Sequence, residues 1–304
     1  MALCLIDHWW RGRRTARPAS LHFMGKYPMT DTTVPSMAID PLRVAAIAAA
    51  RLAGDLIRRA ASAPGALQMR EKKPNDFVTE VDLASEQTIV RALLAQFPDH
   101  GVRTEESAQT HGDAQARHLW IVDPLDGTTN FIHGYPNYAV SIALSTDGRI
   151  DHGVVLDVCS GDLFHASRGQ GAWCNDTAIR VGDGRGLASA VLATSCPARA
   201  AADPSRAIAM LSDMVGRTAA IRRSGSAALD MARVAAGQCD GAFDQGLNAW
   251  DVAAGSLLIT EAGGCIGNFL GAADFLESRE YMAAGPRLFA EMGAALRCYS
   301  RFDR

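Results

Sequence analysis

The sequence predicts a layered α/β fold (α+β in the broad sense) in which helices cover mixed β-sheets. The chain has 304 residues, of which 48% are hydrophobic, enough for a large core. Short apolar runs typical of strands recur along its length, and in the second half they alternate with segments of helical periodicity. Neither an internal repeat nor a low-complexity tract interrupts this pattern.

Residues 1–36 differ in character from the rest and are predicted to be a disordered extension. Basic residues outnumber acidic ones there, and hydrophobic periodicity is weak. An arginine-rich, acid-poor start is also compatible with a transit peptide, or with an upstream start codon before Met29 or Met37. No apolar run approaches the about 20 residues that a membrane-spanning helix needs, so we expect a cytoplasmic protein without a membrane partner.

Charge and cysteine content exclude several classes of function. The formal net charge of −3 provides no bulk positive field for nucleic acid or for an anionic membrane. The seven cysteines are scattered and form no CxxC pair, which indicates a reducing compartment and argues against a disulfide framework or a zinc site.

Two helices are predicted at the start of the folded region. The first begins with Asp40 as its cap and Pro41 as its first residue, and ends at Ala63–Gly65. Its apolar positions are Val44, Ile47, Ala48, Leu52 and Leu56. The second helix is expected from Asp82 to about Phe97, with inward-facing Leu83, Ile89, Val90, Leu93 and Leu94.

Strands and turns follow up to a glycine-dense joint at Gly182–Gly186. The predicted strands are Val102–Thr104, Leu119–Val122, Tyr138–Leu144, Val154–Leu156 and Leu163–Ala166. Turns are expected at Asp147-Gly148 and at Gly161-Asp162. The joint divides an N-terminal α+β domain that carries the metal site (37–185) from a C-terminal α/β domain that completes it (186–304).

The second half alternates strands with helices. We expect strands at Ala190–Thr194, Ala219–Arg222 and Gly241–Asp244, and near Cys265 and Met282. Helices are predicted at Pro204–Val215 and Ser226–Ala236, from Asp251, and after Pro286.

The segment Asp123-Pro-Leu-Asp126-Gly-Thr-Thr-Asn-Phe131 carries the clearest chemistry. Two carboxylates leave the end of a strand together, and hydroxyl groups follow them. Asp and Pro also favour plain turns, so the first four residues alone leave a turn and a metal site equally open. With the Leu125 carbonyl they offer an all-oxygen ligand set that suits magnesium. A helix starting here would present free N–H groups to a phosphate.

Four further acids are candidates for the same site only because this segment is present. Two adjacent acids such as Glu105-Glu106 usually lie on a solvated surface. Here they follow a predicted strand end and could lie beside Asp123. Asp82 and Asp251 each precede a helix and are interpreted as N-caps, the usual role of Asp there. A second carboxylate oxygen of Asp251 could still reach a metal, and Asp82 could hold the Thr128 hydroxyl. Gly225–Asp230 starts a helix with small residues. Ordinary helix packing explains them, and they could also form the wall of a binding site for a polyol.

Together these segments resemble the inositol monophosphatase family, most closely its bacterial SuhB-like members. The resemblance covers roughly Met37 to the C-terminus. It rests on Phe77–Asp82, Thr104–Ser107, Trp120–Phe131, Gly225–Asp230 and Trp250–Gly255 in this order. It implies a five-layer αβαβα sandwich, a homodimer, and lithium-sensitive, magnesium-dependent hydrolysis of a phosphate monoester, most directly inositol monophosphate.

The resemblance also implies roles for individual residues. Glu105, Asp123 and the Leu125 carbonyl would hold one magnesium, Asp123, Asp126 and Asp251 a second, and Glu105 would support a weaker third. Backbone N–H groups of Gly127 and Thr128 would meet the phosphate. Thr128, held by Asp82, and Glu105 would orient and deprotonate the attacking water. The substrate-contact residues would be Asp126, Gly127, Thr128, Ser226, Ala227, Asp244 and Asp251.

One departure leaves the substrate open. The family commonly has a glutamate where this chain has the shorter Asp244, which puts recognition of inositol itself in doubt. Histidinol phosphate, fructose bisphosphate or a 3′-phosphonucleotide are the alternatives. The resemblance to SuhB-like members also implies an added role with a transcription-complex partner in ribosomal RNA antitermination, for which exposed arginines such as Arg222 and Arg223 are candidates. The competing hypothesis is a purely structural α/β protein. It would require all five segments that carry the resemblance to be caps and turns by coincidence.

Overall fold

The structure is a computed structural model that describes residues 40–62, 69–73, 76–107, 110–182, 184–195 and 203–302. The predicted extension 1–36 and the predicted helix end at residues 63–65 lie outside the described residues. The helices are α1 Pro41–Ala61, α2 Glu80–Gln96, α3 Thr128–Ile132, α4 Pro204–Arg217, α5 Ala227–Ala235, α6 Ala249–Glu261, α7 Phe275–Ser278 and α8 Pro286–Leu296. No described helix is both long and apolar enough to cross a membrane.

Strands of the N-terminal half form a hairpin and a large sheet. The hairpin pairs β1 Met69–Lys73 with β2 Asp76–Thr79. The eight-stranded sheet has the order β10-β9-β8-β7-β6-β5-β3-β4. Its strands are β3 Gly101–Thr104, β4 His111–Gly112, β5 His118–Asp126, β6 Ala139–Thr146, β7 Arg149–Asp157, β8 Leu163–Ser167, β9 Ala172–Cys174 and β10 Thr177–Ile179. Neighbours are antiparallel except for the parallel pair β3–β5.

A five-stranded sheet follows the glycine-dense joint. It contains β11 Val191–Ala193, β12 Ala220–Arg222, β13 Gly241–Gln245, β14 Cys265–Gly267 and β15 Glu280–Ala284. The order is β12-β11-β13-β15-β14, with β11 parallel to both neighbours and the remaining pairs antiparallel. Both sheets are therefore mixed, as predicted. The division of the chain into domains at residue 185 stays a prediction.

Three hydrophobic clusters separate the layers. Alternate residues of the large sheet face opposite sides: Trp120 and Val122 face α1 and α2, while Ile121 faces α5 and α6. The other side of α5 and α6 packs on the five-stranded sheet through Ala242 and Ala283. The far face of that sheet packs on α4 and α8. The layers are thus α1/α2, sheet, α5/α6, sheet and α4/α8, which confirms the predicted five-layer αβαβα sandwich.

Helix α1 buries its small residues, and two of its larger apolar residues are exposed. Val44 and Leu52 are 47% and 52% exposed, whereas a row of alanines and Gly54 faces the sheet. A Cβ at Gly54 would lie 2.5 Å from Leu156 Cδ2, so the helix approaches the sheet too closely for larger side chains. Leu83 of α2, predicted to face inward, is 40% exposed.

The parallel pair β3–β5 positions the candidate site. Thr104 at the end of β3 is in register with Val122 of β5, and the Glu105 N–H donates to the Val122 carbonyl at 3.2 Å. Carboxyl ends of parallel strands meet at one edge of a sheet. The acids that follow β3 therefore lie beside the acids that end β5.

Candidate active site

A β-bulge brings Asp123 and Asp126 to the same side of the sheet. In a regular strand, residues three apart point to opposite faces. Here Asp123 pairs with Ser141 and Asp126 with Ala139, so three steps on β5 match two on β6. The extra residue in the Pro124-Leu125 segment turns both carboxylates toward one point. Strand β5 is accordingly longer than the predicted run Leu119–Val122.

Asp251 joins these two residues from α6. One carboxylate oxygen from each of Asp123, Asp126 and Asp251 lies within 4.8 Å of the others, a group that could hold a metal ion. Helix α6 begins at Ala249, with Asn248 as its cap and Asp251 at the third position of a capping box. The interpretation of Asp251 as the N-cap of a helix starting at Val252 was therefore wrong.

Hydrogen bonds fix all three carboxylates. Asp123 Oδ1 accepts from the Leu125 N–H at 3.0 Å, and Asp251 Oδ2 accepts from the Asn248 N–H at 2.6 Å. Asp126 Oδ2 accepts from the Ser226 hydroxyl at 2.6 Å and from the Ala228 N–H at 2.8 Å. Because protein donors hold each side chain, those of Asp126 coming from the start of α5, the cluster is positioned by the fold itself.

The cluster concentrates negative charge in a buried place. Burial raises the pKa of Asp123 well above its usual value, with further contributions from the charges of Glu105, Asp126 and Asp251. Burial, and then the charge of Asp126, raises the pKa of Asp251 to about 7. Burial also raises the pKa of Asp126. An all-oxygen set of crowded carboxylates fits a hard divalent cation, which would relieve this repulsion.

Glu105 lies on the edge of this cluster. It directly follows β3 and is half-buried, and its charge is the largest single charge contribution to the raised pKa of Asp123. Glu105 is thus near enough to Asp123 for its charge to act there, but it is not among the three residues whose oxygens lie within 4.8 Å of one another, so its role as a metal ligand stays a prediction.

A second set of contacts surrounds the Thr128 hydroxyl. Its oxygen lies 2.8 Å from Asp82 Oδ1 and 3.1 Å from the Leu125 carbonyl, and the hydroxyl can donate to either. Asp82 Oδ2 accepts from the Thr79 N–H at 2.8 Å. Thr79 is the cap of α2 and Asp82 its third residue, so the interpretation of Asp82 as an N-cap was wrong. Burial raises the pKa of Asp82.

Gly127 makes the turn between β5 and α3. Its φ is +96°, and a Cβ there would lie 3.0 Å from the Asn137 carbonyl and 3.2 Å from the Gly225 carbonyl. Only glycine fits such a conformation at this distance. Helix α3 does start here as predicted, but it is only five residues long. Contact of the Gly127 and Thr128 N–H groups with a phosphate stays a prediction.

Besides Asp251, which lies in the acidic cluster, the predicted substrate-contact residues of the C-terminal half lie at two places. Ser226 caps α5, with Ala227 as the first residue of that helix, and binds Asp126 directly. Asp244 is the last residue but one of β13 and is 1% exposed; it accepts from the Ser195 N–H at 2.8 Å and from the Thr194 hydroxyl at 3.3 Å. Burial is the main cause that raises the pKa of Asp244 to about 8.

Two residues of α2 that the sequence analysis missed also touch these segments. The Ser85 hydroxyl donates to the Pro124 carbonyl at 2.7 Å, and Glu86 accepts from the Glu106 N–H at 3.1 Å. Their spacing from Asp82 by three and four residues places all three on one helix face. That spacing was the available signal.

Comparisons with known proteins agree with this geometry. The model of the inositol monophosphatase family matches residues 38–301. The "Nus factor SuhB" of Pseudomonas aeruginosa is 44% identical over 254 residues, covering 83% of this chain and 94% of the relative.

Solved structures give the same picture. The extragenic suppressor protein suhB from Bartonella henselae superposes with a TM-score of 0.81 at 37% identity, covering 85% of this chain and 99% of that chain. Inositol monophosphatase from Anabaena (Nostoc) gives a TM-score of 0.74 at 31% identity, with coverage of 84% and 95%. Family model, relatives and structures all extend over the region that carries the acidic cluster, and the chain belongs to the inositol monophosphatase family.

Proposed function

We propose that this protein hydrolyses a small phosphate monoester, inositol monophosphate in the first place, with magnesium as its cofactor. Membership of the family supports a phosphatase in general. The observation that carries the finer proposal is the convergence of Asp123, Asp126 and Asp251, one carboxylate oxygen from each lying within 4.8 Å of the others.

The carboxylates would hold two to three magnesium ions. Glu105, Asp123 and the Leu125 carbonyl would form one site, and Asp123, Asp126 and Asp251 another. When bound, magnesium supplies positive charge that activates a water molecule and stabilises the leaving oxygen. Hydrogen bonds already fix the aspartates, so little reorganisation is needed when the cation binds.

Protein groups would orient the attacking water. When the Thr128 hydroxyl donates its proton to Asp82, its oxygen is left as an acceptor for a proton of the water. Glu105 is half-buried beside Asp123 and would accept the other proton as general base. Asp82 acts only through Thr128, because it is fully buried.

The phosphate would lie over the Gly127 turn, where the N–H groups of Gly127 and Thr128 begin α3. The alcohol part of the substrate would then extend toward Ser226, Ala227 and Asp244. Asp244 is one methylene shorter than the glutamate that is common in the family, so it leaves more room for the leaving alcohol. This makes Asp244 the residue at which substrate preference is decided.

A panel of phosphate esters tests the proposal. Inositol monophosphate, histidinol phosphate, fructose bisphosphate and a 3′-phosphonucleotide are compared by kcat/KM, with and without magnesium and lithium. We expect magnesium-dependent release of phosphate, inhibited by lithium and highest for inositol monophosphate. Glu105→Gln should lose this activity, whereas Asp99→Asn, an exposed acid on the loop after α2, should keep it. Wild-type rates in Glu105→Gln would contradict the proposal.

The Pseudomonas aeruginosa relative is named as a Nus factor, which supports a second role beside catalysis. We propose that this protein also binds the transcription machinery in ribosomal RNA antitermination. We further propose that it is a homodimer and that it acts in the cytoplasm. A pull-down with RNA polymerase and Nus factors tests the transcription role, and light scattering tests the dimer. Recovery of none of these factors would contradict the second role and leave the phosphatase proposal unaffected.

A further inference from the structure

One face of α2 touches each segment that carries a proposed catalytic group. Asp82, Ser85 and Glu86 are three and four residues apart, and all are buried, with 0%, 0% and 4% exposure. Buried polar side chains on a helix need partners. Each of the three has its partner in a segment that borders the acidic cluster.

The first two residues hold the turn between β5 and α3. Asp82 accepts from the Thr128 hydroxyl at 2.8 Å, and the Ser85 hydroxyl donates to the Pro124 carbonyl at 2.7 Å. Pro124 lies within the bulge that turns Asp123 and Asp126 to one side. Helix α2 therefore supports this turn at both ends.

Glu86 holds the other segment, the loop after β3. Its Oε2 accepts from the Glu106 N–H at 3.1 Å, and its Oε1 accepts a short hydrogen bond from the Ser107 hydroxyl. His111 Nε2 lies 3.0 Å from Ser107 Oγ and 3.6 Å from Glu86 Oε1. One buried carboxylate thus fixes the two residues that directly follow Glu105.

The loop needs such support because of its charge. Glu105 acts on Asp123 as a like charge, so the two carboxylates repel each other until a cation binds. The Glu105 N–H donates to the Val122 carbonyl of β5 at 3.2 Å, and Glu86 holds the next two residues of the loop. Without Glu86, repulsion would be relieved by movement of the loop away from Asp123.

We propose that Glu86 is a positioning residue that holds Glu105 beside the aspartate cluster and thereby sets the affinity of the metal site that includes Glu105. The proposal rests on the proposed magnesium-dependent function. It assigns to Glu86 no contact with substrate and no proton transfer.

Magnesium titration calorimetry on the full chain tests it. Glu86→Ala should weaken binding at the site that includes Glu105 by about 10- to 100-fold, the usual scale for partners that orient metal ligands. Glu86→Gln keeps an acceptor for the Glu106 N–H and should recover part of the loss. Glu80→Gln makes the same chemical change at an exposed position of α2 and should bind as wild type does.

A double-mutant cycle separates positioning from a general loss of structure. Glu105→Gln already removes the ligand that Glu86 positions, so Glu86→Ala should weaken binding little further in that background. Additive losses, or unchanged magnesium affinity in Glu86→Ala, would overturn the proposal. If Glu86→Ala does not fold, Glu86→Gln and Ser107→Ala, which leave part of the contact, carry the same comparison.

The outcome also separates this proposal from the proposed function. If the wild-type protein binds no divalent cation, the magnesium-dependent function fails and this proposal with it. If the wild-type protein binds magnesium and releases phosphate, and the Glu86 variants match it in both, only the positioning role of Glu86 fails.

Discussion

Asp82 and Asp251 occupy the same place in two helices and yet meet different partners. Each is the third residue of its helix and accepts the N–H of the capping residue, Thr79 at 2.8 Å and Asn248 at 2.6 Å. The remaining oxygen of Asp82 accepts the Thr128 hydroxyl. Asp251 instead has a carboxylate oxygen within 4.8 Å of oxygens of Asp123 and Asp126.

This difference appears in the electrostatics. Burial raises the pKa of Asp82, but hydrogen bonds from Thr79 and Thr128 oppose the increase. For Asp251, burial and then the charge of Asp126 raise the pKa to about 7. The capping box thus supplies a carboxylate with one oxygen already fixed. What the other oxygen meets decides whether the residue holds a hydroxyl or contributes charge to a cation site.

Asp251→Asn should give the largest effect. The amide oxygen can still accept from the Asn248 N–H, so the cap is kept while the charge is lost. We expect magnesium-dependent phosphate release to fall about 10²- to 10³-fold, the scale for removing one electrostatic group from an active site. The melting temperature without metal should stay or rise, because one repelling charge is gone. Steady-state kinetics and calorimetric melting check both parts. Retained activity would contradict the assignment.

Asp82→Asn should give a smaller effect of a different kind. The amide oxygen of asparagine can still accept from the Thr79 N–H. Its NH2 group then faces the Thr128 hydroxyl and cannot accept a hydrogen bond from it. The expected result is a decrease in kcat of about 10- to 100-fold with magnesium affinity unchanged. Kinetics combined with magnesium titration separate the two quantities. If magnesium affinity falls as far as in Asp251→Asn, the distinction between the two helices is wrong.

Asp244 sharpens the comparison through pH. Burial first, and then the charge of Asp230, raises its pKa from 3.8 to about 8, although its hydrogen-bond partners are Ser195 and Thr194 and not a cation site. The folded state therefore disfavours ionised Asp244. Its contribution to the free energy of unfolding is fully present below about pH 4 and is lost as the pH rises through about 8.

Denaturant unfolding of the metal-free protein across this pH range measures the slope. In Asp244→Asn, the free energy of unfolding should decrease less steeply as the pH rises, because that position no longer ionises. The same slope in the variant and the wild type would show that Asp244 does not carry the effect.

Ser226→Ala should give the smallest effect. It removes the cap of α5 and one donor to Asp126, whereas the Ala228 N–H at 2.8 Å remains. The free energy of unfolding should fall by about 1 kcal/mol. Magnesium affinity should change by less than it does in Asp251→Asn. A complete loss of binding would mean that the Ser226 hydroxyl, and not the backbone, holds Asp126.

Local patterns predicted more of the site than of its supports. The spacing of Asp123 and Asp126 indicated a metal site, and the acids after β3 were expected beside that site. The bulge itself depends on pairing with β6, which no local pattern shows. For Asp82 and Asp251, the capping residue three positions earlier was visible in the sequence, but the acid nearest the apolar run was taken for the cap.

Packing between distant elements explains the remaining differences. In α1, Val44 and Leu52 recur at helical spacing in the sequence, yet both are exposed. The close approach of Gly54 to Leu156 requires a small residue at that point of the buried face, and sequence periodicity does not show this. Glu86 similarly has an ordinary place in a helical pattern. Its role depends on the loop after β3, which folds back to it from about 20 residues further along the chain.

The central claim is that the acidic cluster holds the magnesium needed for phosphate release. The most direct test measures phosphate release from inositol monophosphate at increasing magnesium concentration. It compares the wild-type protein with Asp123→Asn and with the exposed control Asp99→Asn. The acidic cluster predicts no release without magnesium, saturable release in the wild type and in Asp99→Asn, and almost none in Asp123→Asn. Release at the wild-type rate by Asp123→Asn, or by the wild-type protein in the presence of a metal chelator, would contradict it.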